Sequence, residues 1–153
     1  KNNSQKIAHF GFSLLILSIM FNNIFSSEII TNLKVGEILE TSNTKITFNE
    51  VNQKNEKNYK SIIGSFTIET KNEKTEKFKP ELRIYNQPIT ITSEADIKTT
   101  LVSDKFMTIN VVQNQDYFNV RYQVKPFMIW IWLSVILISV GGLVSFFKKE
   151  YEK

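Results

Sequence analysis

The strongest constraint on this chain is an uncharged apolar stretch near its C-terminal end, residues 127–147 (FMIWIWLSVILISVGGLVSFF). A helix of these 21 residues is long enough to cross a hydrocarbon core of about 30 Å. Trp130 and Trp132 lie near its start, where amphipathic rings favour the lipid headgroup level. Lys148-Lys149 follow at once and favour a cytoplasmic (or matrix) C-terminus. The stretch predicts a transmembrane helix, the alternative being a buried core helix, which is rarely so long and apolar.

A second apolar stretch, residues 7–25 (IAHFGFSLLILSIMFNNIF), follows Lys1 and Lys6. It has two interpretations. It is either a retained membrane helix with a cytoplasmic N-terminus, or a signal peptide with a basic start and the small residues Ser26-Ser27 near a cleavage site. Both interpretations place residues 28–125 outside the cytoplasm.

The composition excludes several classes of function. The chain contains no cysteine and one histidine, His9, among its 153 residues. It therefore has no disulfide, no Cys-ligated metal site, no thiol catalysis, no multi-His zinc site and no Ser-His-Asp triad in its middle. The net charge of +4 comes mostly from the two ends, so it does not indicate nucleic-acid binding. Whether the chain acts as an enzyme stays open, since it lacks a complete catalytic site.

The polar middle of the chain alternates apolar and polar residues with a period of two, which is typical of half-buried strands. The apolar positions fall into five stripes: Ile46 and Phe48; Ile62, Phe66 and Ile68; Phe78, Pro80, Leu82 and Ile84; Met107, Ile109 and Val111; Phe118, Val120, Tyr122 and Val124. Six or seven strands are expected, with turns over residues 52–60 and 71–77 and a short helical turn over 93–99.

We therefore predict a membrane protein in which two transmembrane helices flank a small all-β extracytoplasmic domain, a sandwich or a barrel. The predicted segments are a transmembrane helix over residues 7–25, the β domain over 28–125, a second transmembrane helix over 127–147 and a cytoplasmic tail over 148–153. The last strand should lead almost directly into the second helix through Lys125-Pro126.

His9 is the residue most indicative of chemistry, because an ionisable side chain within a membrane segment suggests function. Imidazole is a common axial ligand of haem iron. The alternative is a histidine near the headgroups that is hydrogen-bonded to a neighbouring helix or to water. Lys6 precedes it by about 5 Å of helical rise, which is shallow for a buried haem. Glu94 and Asp96 could bind a cation on a shared strand face, although solvated loop carboxylates are far more common.

Several short motifs, in order along the chain, resemble those of CcmF-type cytochrome c biogenesis proteins. They are residues 7–19 (IAHFGFSLLILSI), similar to a late membrane helix opening with A-H-x-G; 34–37 (KVGE), similar to L-x-x-G-E; Asn58-Tyr59; 80–85 (PELRIY), similar to P-E-x-R-x-Y; 93–97 (SEADI), similar to T-E-A-D-I; and Lys125-Pro126 with 130–133 (WIWL) and Gly141-Gly142 of the final helix. Leu82 and Ser93 depart from the residues usual in that family.

The resemblance implies that the chain is the C-terminal part of a longer haem lyase membrane subunit, which helps attach haem covalently to apocytochrome c thiols. It implies that His9 is an axial ligand of a haem b whose second ligand lies outside this chain. The implied partners are the rest of the same protein, other cytochrome c maturation subunits, apocytochrome c and the lipid bilayer, with no nucleic acid. The implied location is a bacterial or mitochondrial inner membrane, with the middle in the periplasm or intermembrane space. The alternative is a binding module with a signal peptide and one C-terminal anchor.

Overall fold

The computed structural model describes residues 3–71 and 74–151, the last four by their backbone alone. Within these residues two helices bracket ten strands. The helices are α1 (Asn3–Phe25) and α2 (Met128–Tyr151). The strands are β1 (Ser27–Leu33), β2 (Ile38–Glu40), β3 (Thr44–Asn55), β4 (Tyr59–Thr70), β5 (Glu76–Phe78), β6 (Glu81–Asn86), β7 (Ile89–Glu94), β8 (Asp96–Thr99), β9 (Ser103–Val111) and β10 (Phe118–Pro126).

The chain divides into two compact units, which are described separately. The helical unit comprises Lys1–Ser27, Thr99–Asp104 and Val124–Lys153. The β unit comprises Glu28–Lys98 and Lys105–Gln123. The short turn between β8 and β9 thus belongs with the helices, although the strands on either side of it belong mainly to the β unit.

The strands form two separate sheets. One sheet has the order β1-β10-β9-β8, and the other has the order β2-β3-β4-β6-β7, with β5 also paired to β4. In the second sheet, paired strands run antiparallel. Of the two architectures expected from the alternation, the chain adopts the sandwich.

The core of the β unit is built from the predicted apolar stripes. Phe48 stacks on Phe66 with ring centroids 4.2 Å apart, and both side chains are fully buried. Gly64 leaves room for this pair, since a Cβ at that position would lie 2.7 Å from the Phe66 ring. The other fully or almost fully buried apolar side chains include Ile46, Ile68, Phe78, Pro80, Leu82, Met107, Ile109, Val120 and Tyr122. The strand faces assigned from the alternation are therefore confirmed for most stripes, while Val111 is exposed.

The loops differ from the expectation in two places. Strands β3 and β4 extend through most of residues 52–60, leaving only a short turn around residues 56–58. The backbone ladder continues beyond the core, and ladder hydrogen bonds do not require apolar side chains. Residues 93–99 form the end of β7 and all of β8 rather than a helical turn. Of the predicted 71–77 turn, residues 72 and 73 lie outside the described residues, and β5 begins at Glu76.

Both helices expose their apolar surface. Only 11% of the residues in the most apolar stretch of each helix are buried. This rules out the buried core helix, because the core helix of a soluble protein would be mostly covered. The two helices are membrane-spanning helices, as the sequence predicts. The link from β10 to α2 is the single residue Phe127, again as expected from Lys125-Pro126.

Candidate functional site: the helix pair around His9

Helices α1 and α2 pack through a stripe of small residues. The buried residues of α1 are Ser4, Gly11 and Ser18, at a spacing of seven. On α2, Ser134 and Gly141 are buried at the same spacing. Residues seven apart lie two turns apart on one face of a helix. Small residues at such positions let two backbones approach closely, which is how membrane helices commonly associate.

The contacts at this stripe also fix the direction of the two helices. A Cβ built on Gly141 would lie 2.8 Å from the backbone nitrogen of Ala8. A Cβ on Gly11 would lie 3.0 Å from the backbone nitrogen of Ile138. At the other end, Asn22 Nδ2 donates to the carbonyl oxygen of Pro126 at 2.5 Å. Positions rise along α1 as they fall along α2, so the helices are antiparallel.

His9 lies on α1 beside this stripe but is not part of it. Its side chain is exposed, and its carbonyl oxygen accepts a hydrogen bond from Ser13 Oγ at 3.0 Å. Across residues 3–71 and 74–147 no group is hydrogen-bonded to the imidazole. Helix α2 therefore supplies no hydrogen-bond partner for the imidazole, and the alternative in which His9 bonds to water or to another helix stays open. The imidazole is open to a ligand or helix beyond this pair.

Helix α2 gives a second measure of how deep His9 lies. Ala8, next to His9, lies beside Gly141 of α2. Gly141 is seven residues before Lys148 and fourteen residues after Phe127. These intervals correspond to about 10 Å and about 21 Å of helical rise. Measured along α2, the level of His9 is thus about twice as far from the nearest flanking lysine as its spacing from Lys6 along α1.

The residues around His9 fit one axial ligand of a haem. Phe12, one turn further along α1, is exposed and offers an apolar ring beside the imidazole. Lys6, one turn before His9, is exposed, so its ammonium group is available to a carboxylate of a bound ligand. Among the described residues no group of three His, Cys, Asp or Glu side chains could hold a free metal ion. In residue type, this setting is compatible with an imidazole that ligates a haem iron.

A second cluster brings together three of the sequence motifs on the outer face of the six-stranded sheet. We call Tyr59, Glu81, Arg83, Tyr85 and Glu94 the Arg83 cluster. The Arg83 guanidinium donates twice to the Glu81 carboxylate, with Nε–Oε1 3.0 Å and Nη2–Oε2 3.1 Å. It also lies over the Tyr59 ring, 5.2 Å from the centroid. The motifs are distant in sequence but adjacent in space because β4 pairs with β6 and β6 with β7.

Within the Arg83 cluster, Arg83 and Glu81 form an ion pair in which each partner stabilises the charged form of the other. The hydrogen bond from Arg83 lowers the pKa of Glu81, and the same hydrogen bond raises the pKa of Arg83. Glu94 lies 3.9 Å from the guanidinium, whereas Asp96 Oδ2 accepts from the backbone nitrogen of Lys79 at 2.6 Å. Glu94 on β7 and Asp96 on β8 thus have different partners and do not form a shared cation site.

Comparison with known proteins agrees with this architecture. Residues 24–126 match the family described as the CcmF C-terminal beta-sandwich. The chain belongs to this family. It is 25% identical over 146 residues to the cytochrome c-type biogenesis protein CcmF of Escherichia coli, covering 95% of this chain and 23% of that protein. It is 27% identical over 147 residues to the cytochrome c-type biogenesis protein ccl1 of Rhodobacter capsulatus, covering 96% and 22%.

A solved structure, that of the cytochrome c haem lyase CcmF, has the same fold with a TM-score of 0.70 at 19% identity. The match covers 92% of this chain and 23% of that one. This CcmF-family chain thus spans less than a quarter of the length of these relatives. Sequence reasoning singled out His9 but missed the small-residue stripe, although the spacing of Ser4, Gly11 and Ser18 could have revealed it.

Proposed function

We propose that this chain is the C-terminal portion of a haem lyase membrane subunit and acts in cytochrome c maturation. The observation that carries the proposal is the family match over residues 24–126, together with similarity to cytochrome c biogenesis proteins over 95% of the chain. In this role the whole protein handles haem and helps attach it to the thiols of apocytochrome c. The absence of cysteine from this chain is consistent with thiols supplied by the substrate.

Within that role we propose that His9 is an axial ligand of a resident haem b. The support is an exposed imidazole within the membrane, placed off the α1–α2 contact and beside an apolar ring. When bound, the haem would supply one-electron chemistry that keeps the delivered haem iron reduced. The task of this chain is to hold the imidazole. The small-residue contact fixes α1 against α2, and the Ser13 hydroxyl donates to the His9 carbonyl oxygen rather than to the imidazole.

We also propose the topology and surroundings of the chain. The Lys-flanked ends lie on the cytoplasmic or matrix side of a bacterial or mitochondrial inner membrane, and the β domain lies in the periplasm or intermembrane space. The transmembrane segments are residues 7–25 and 127–147, the β domain is 28–125 and the tail is 148–153. The partners are the rest of the same protein, other maturation subunits and apocytochrome c.

Retention of α1 is part of the proposal and weighs against the signal-peptide alternative. Cleavage after residues 26–27 would remove the helix that covers Ser134 and Gly141. A signal peptide needs no such partner, because it leaves the mature protein. The fitted contact between α1 and α2 therefore favours a permanent helix pair over a single C-terminal anchor.

The test of the His9 role is His9→Ala in the full-length protein, compared with Gln5→Ala one turn away on the same helix. Loss of one axial ligand should abolish the six-coordinate b-type bands of the purified protein, or the haem itself, and cytochrome c output should fall. Protein amount and membrane insertion should match the Gln5→Ala control. A His9→Ala protein with the original haem spectrum and normal cytochrome c output would refute the ligand role while leaving the family assignment intact.

A further inference from the structure

The turn Thr99–Asp104 is attached to the start of α2. Trp130 Nε1 donates to the carbonyl oxygen of Leu101 at 2.9 Å. The backbone nitrogen of Phe127 donates to the carbonyl oxygen of Val102 at 2.7 Å. Phe127 has a φ of 61°, a left-handed conformation that is unfavourable for a bulky residue and needs such support. The turn thus holds the junction at which the chain enters the membrane helix.

The tip of this turn is apolar and exposed. Leu101 is 72% exposed and Val102 is 64% exposed. Trp130 lies one turn inside the helix start, about 5 Å below Phe127. Its indole reaches the Leu101 carbonyl, so the tip lies near the level of the first turn of the membrane helix. Two large aliphatic side chains in that position are an unusual feature for a water-exposed turn.

At the tip of the turn, residues 100–103, most of the polar groups are paired, whereas the Asp104 carboxylate at its base has a buried oxygen without a hydrogen-bond partner among the described residues. Thr100 Oγ1 accepts from the backbone nitrogens of Val102 and Ser103 and donates to the Ser103 carbonyl. The Thr100 nitrogen also donates to the Ser103 carbonyl, at 3.0 Å. The carbonyls of Leu101 and Val102 are taken by Trp130 and Phe127, as described above. A segment can enter a medium poor in water only when its backbone groups are paired in this way.

From these three observations we infer that the Thr99–Asp104 turn inserts Leu101 and Val102 into the outer leaflet of the bilayer, at the boundary between headgroups and acyl chains. The occupant of this surface is lipid, because the surface continues that of α2, whose first turns carry Trp130 and the 65%-exposed Trp132, residues that favour the membrane interface. Close contact with another helix typically uses small residues, whereas the tip of the turn presents two large aliphatic side chains. The turn is a third membrane contact, in addition to the two helices.

The experiment places an environment-sensitive bimane label at Leu101→Cys in the full-length protein, with any native cysteines outside this chain replaced. The protein is reconstituted into phosphatidylethanolamine–phosphatidylglycerol vesicles containing doxyl-labelled lipid, and in parallel is exposed to aqueous iodide. Ile89→Cys is the matched control, because Ile89 is an aliphatic residue that is 84% exposed at the β6–β7 turn of the β unit. A bimane label at Val102→Cys gives a second, independent measurement of quenching at the tip of the turn.

The label at Leu101 should be quenched several-fold more by doxyl lipid and several-fold less by iodide than the label at Ile89. Equal quenching by iodide at both sites, without lipid quenching at Leu101, would show a turn in water and overturn the inference. Protection at Leu101 and Val102 from both quenchers would show that protein covers the tip, and would overturn lipid as the occupant.

Discussion

Gly141 and Gly142 are adjacent in sequence but face different surroundings. A Cβ on Gly141 would meet the backbone of α1, with Ala8 N at 2.8 Å and Ser4 O at 2.9 Å, whereas a Cβ on Gly142 would meet nothing within 4 Å. Backbone atoms cannot move aside as the tip of a side chain can. One glycine is therefore required by the helix contact, and its neighbour is not.

We predict that Gly141→Leu in the full-length protein separates α1 from α2 and lowers its stability, while Gly142→Leu is tolerated. Forcing bulk into a close-packed contact typically costs about 1–3 kcal/mol. The measurement is the thermal midpoint of the two variants in detergent, side by side. Equal midpoints for both variants would contradict the close contact at Gly141.

A second residue-scale prediction concerns Glu81, whose pKa is lowered chiefly by its hydrogen bond from Arg83. A carboxylate with a lowered folded-state pKa stabilises the fold above its ordinary value of 4.5, and this contribution is lost as the pH falls through the folded pKa. Glu81→Gln should therefore be less stable than the original protein at pH 7, by less than about 1 kcal/mol for a partly exposed pair. The difference should shrink below pH 4.5.

Pulsed hydrogen exchange of the β4 and β6 peptides in urea measures this difference at pH 7 and at acid pH. Glu40→Gln, at the exposed end of β2, is the control. If the difference in unfolding free energy between Glu81→Gln and the original protein stays constant on acidification, the ion pair with Arg83 does not stabilise the fold through the charge of Glu81.

The sequence was informative about single residues where their chemistry is rare. His9 stands out as the only histidine of the chain, within an apolar stretch. The Arg83 cluster could not be assembled from sequence, because its members come from three strands whose pairing is a property of the folded sheet. The role of Trp130 was only partly visible. Its place near the headgroups was expected, but its hydrogen bond to Leu101 depends on a turn distant in sequence.

At the scale of the elements, the strands that could be predicted from the alternation of apolar and polar residues are those that bury one face. Strands β4 and β9 bury every second side chain over most of their length and were found. Strands β7 and β8 are mostly exposed, with no fully buried residue in either. They are held in the sheets by backbone pairing to β6 and β9. Because their side chains are mostly exposed, their sequences show little alternation of apolar and polar residues. The predicted number of strands, six or seven, is therefore lower than the ten found in the described residues.

The strand faces predict a contrast between two apolar positions on neighbouring strands. Leu82 on β6 is fully buried, and Ile89 on β7 is 84% exposed. Leu82→Asp would bury an unpaired carboxylate and should cost several kcal/mol, enough to unfold a small domain. Ile89→Asp should change stability by no more than about 0.5 kcal/mol. Limited proteolysis of the full-length variants compares the two, and equal resistance would contradict the assigned faces.

At the scale of the whole molecule, the Lys-flanked helices predict where each segment can be cut. Protease added outside spheroplasts of a bacterial host should cleave near Lys57, in the exposed β3–β4 turn, because that turn is expected on the outer side. Lys148-Lys149 should be cut only after the membrane is opened. Cleavage of the tail in intact spheroplasts, with the Lys57 region protected, would invert the proposed topology.

The antiparallel contact of α1 with α2 has a consequence for the order of biosynthesis. Roughly a hundred residues separate the two helices in the sequence, and the first strand, β1, finds its neighbour only in the last, β10. At about 5–20 residues per second, the ribosome needs on the order of 5–20 s to supply both missing partners. During that interval the glycine and serine face of α1 lacks α2 as its partner. A nascent chain stalled before α2 would therefore offer the cell's membrane quality control an unpaired helix and an open sheet together.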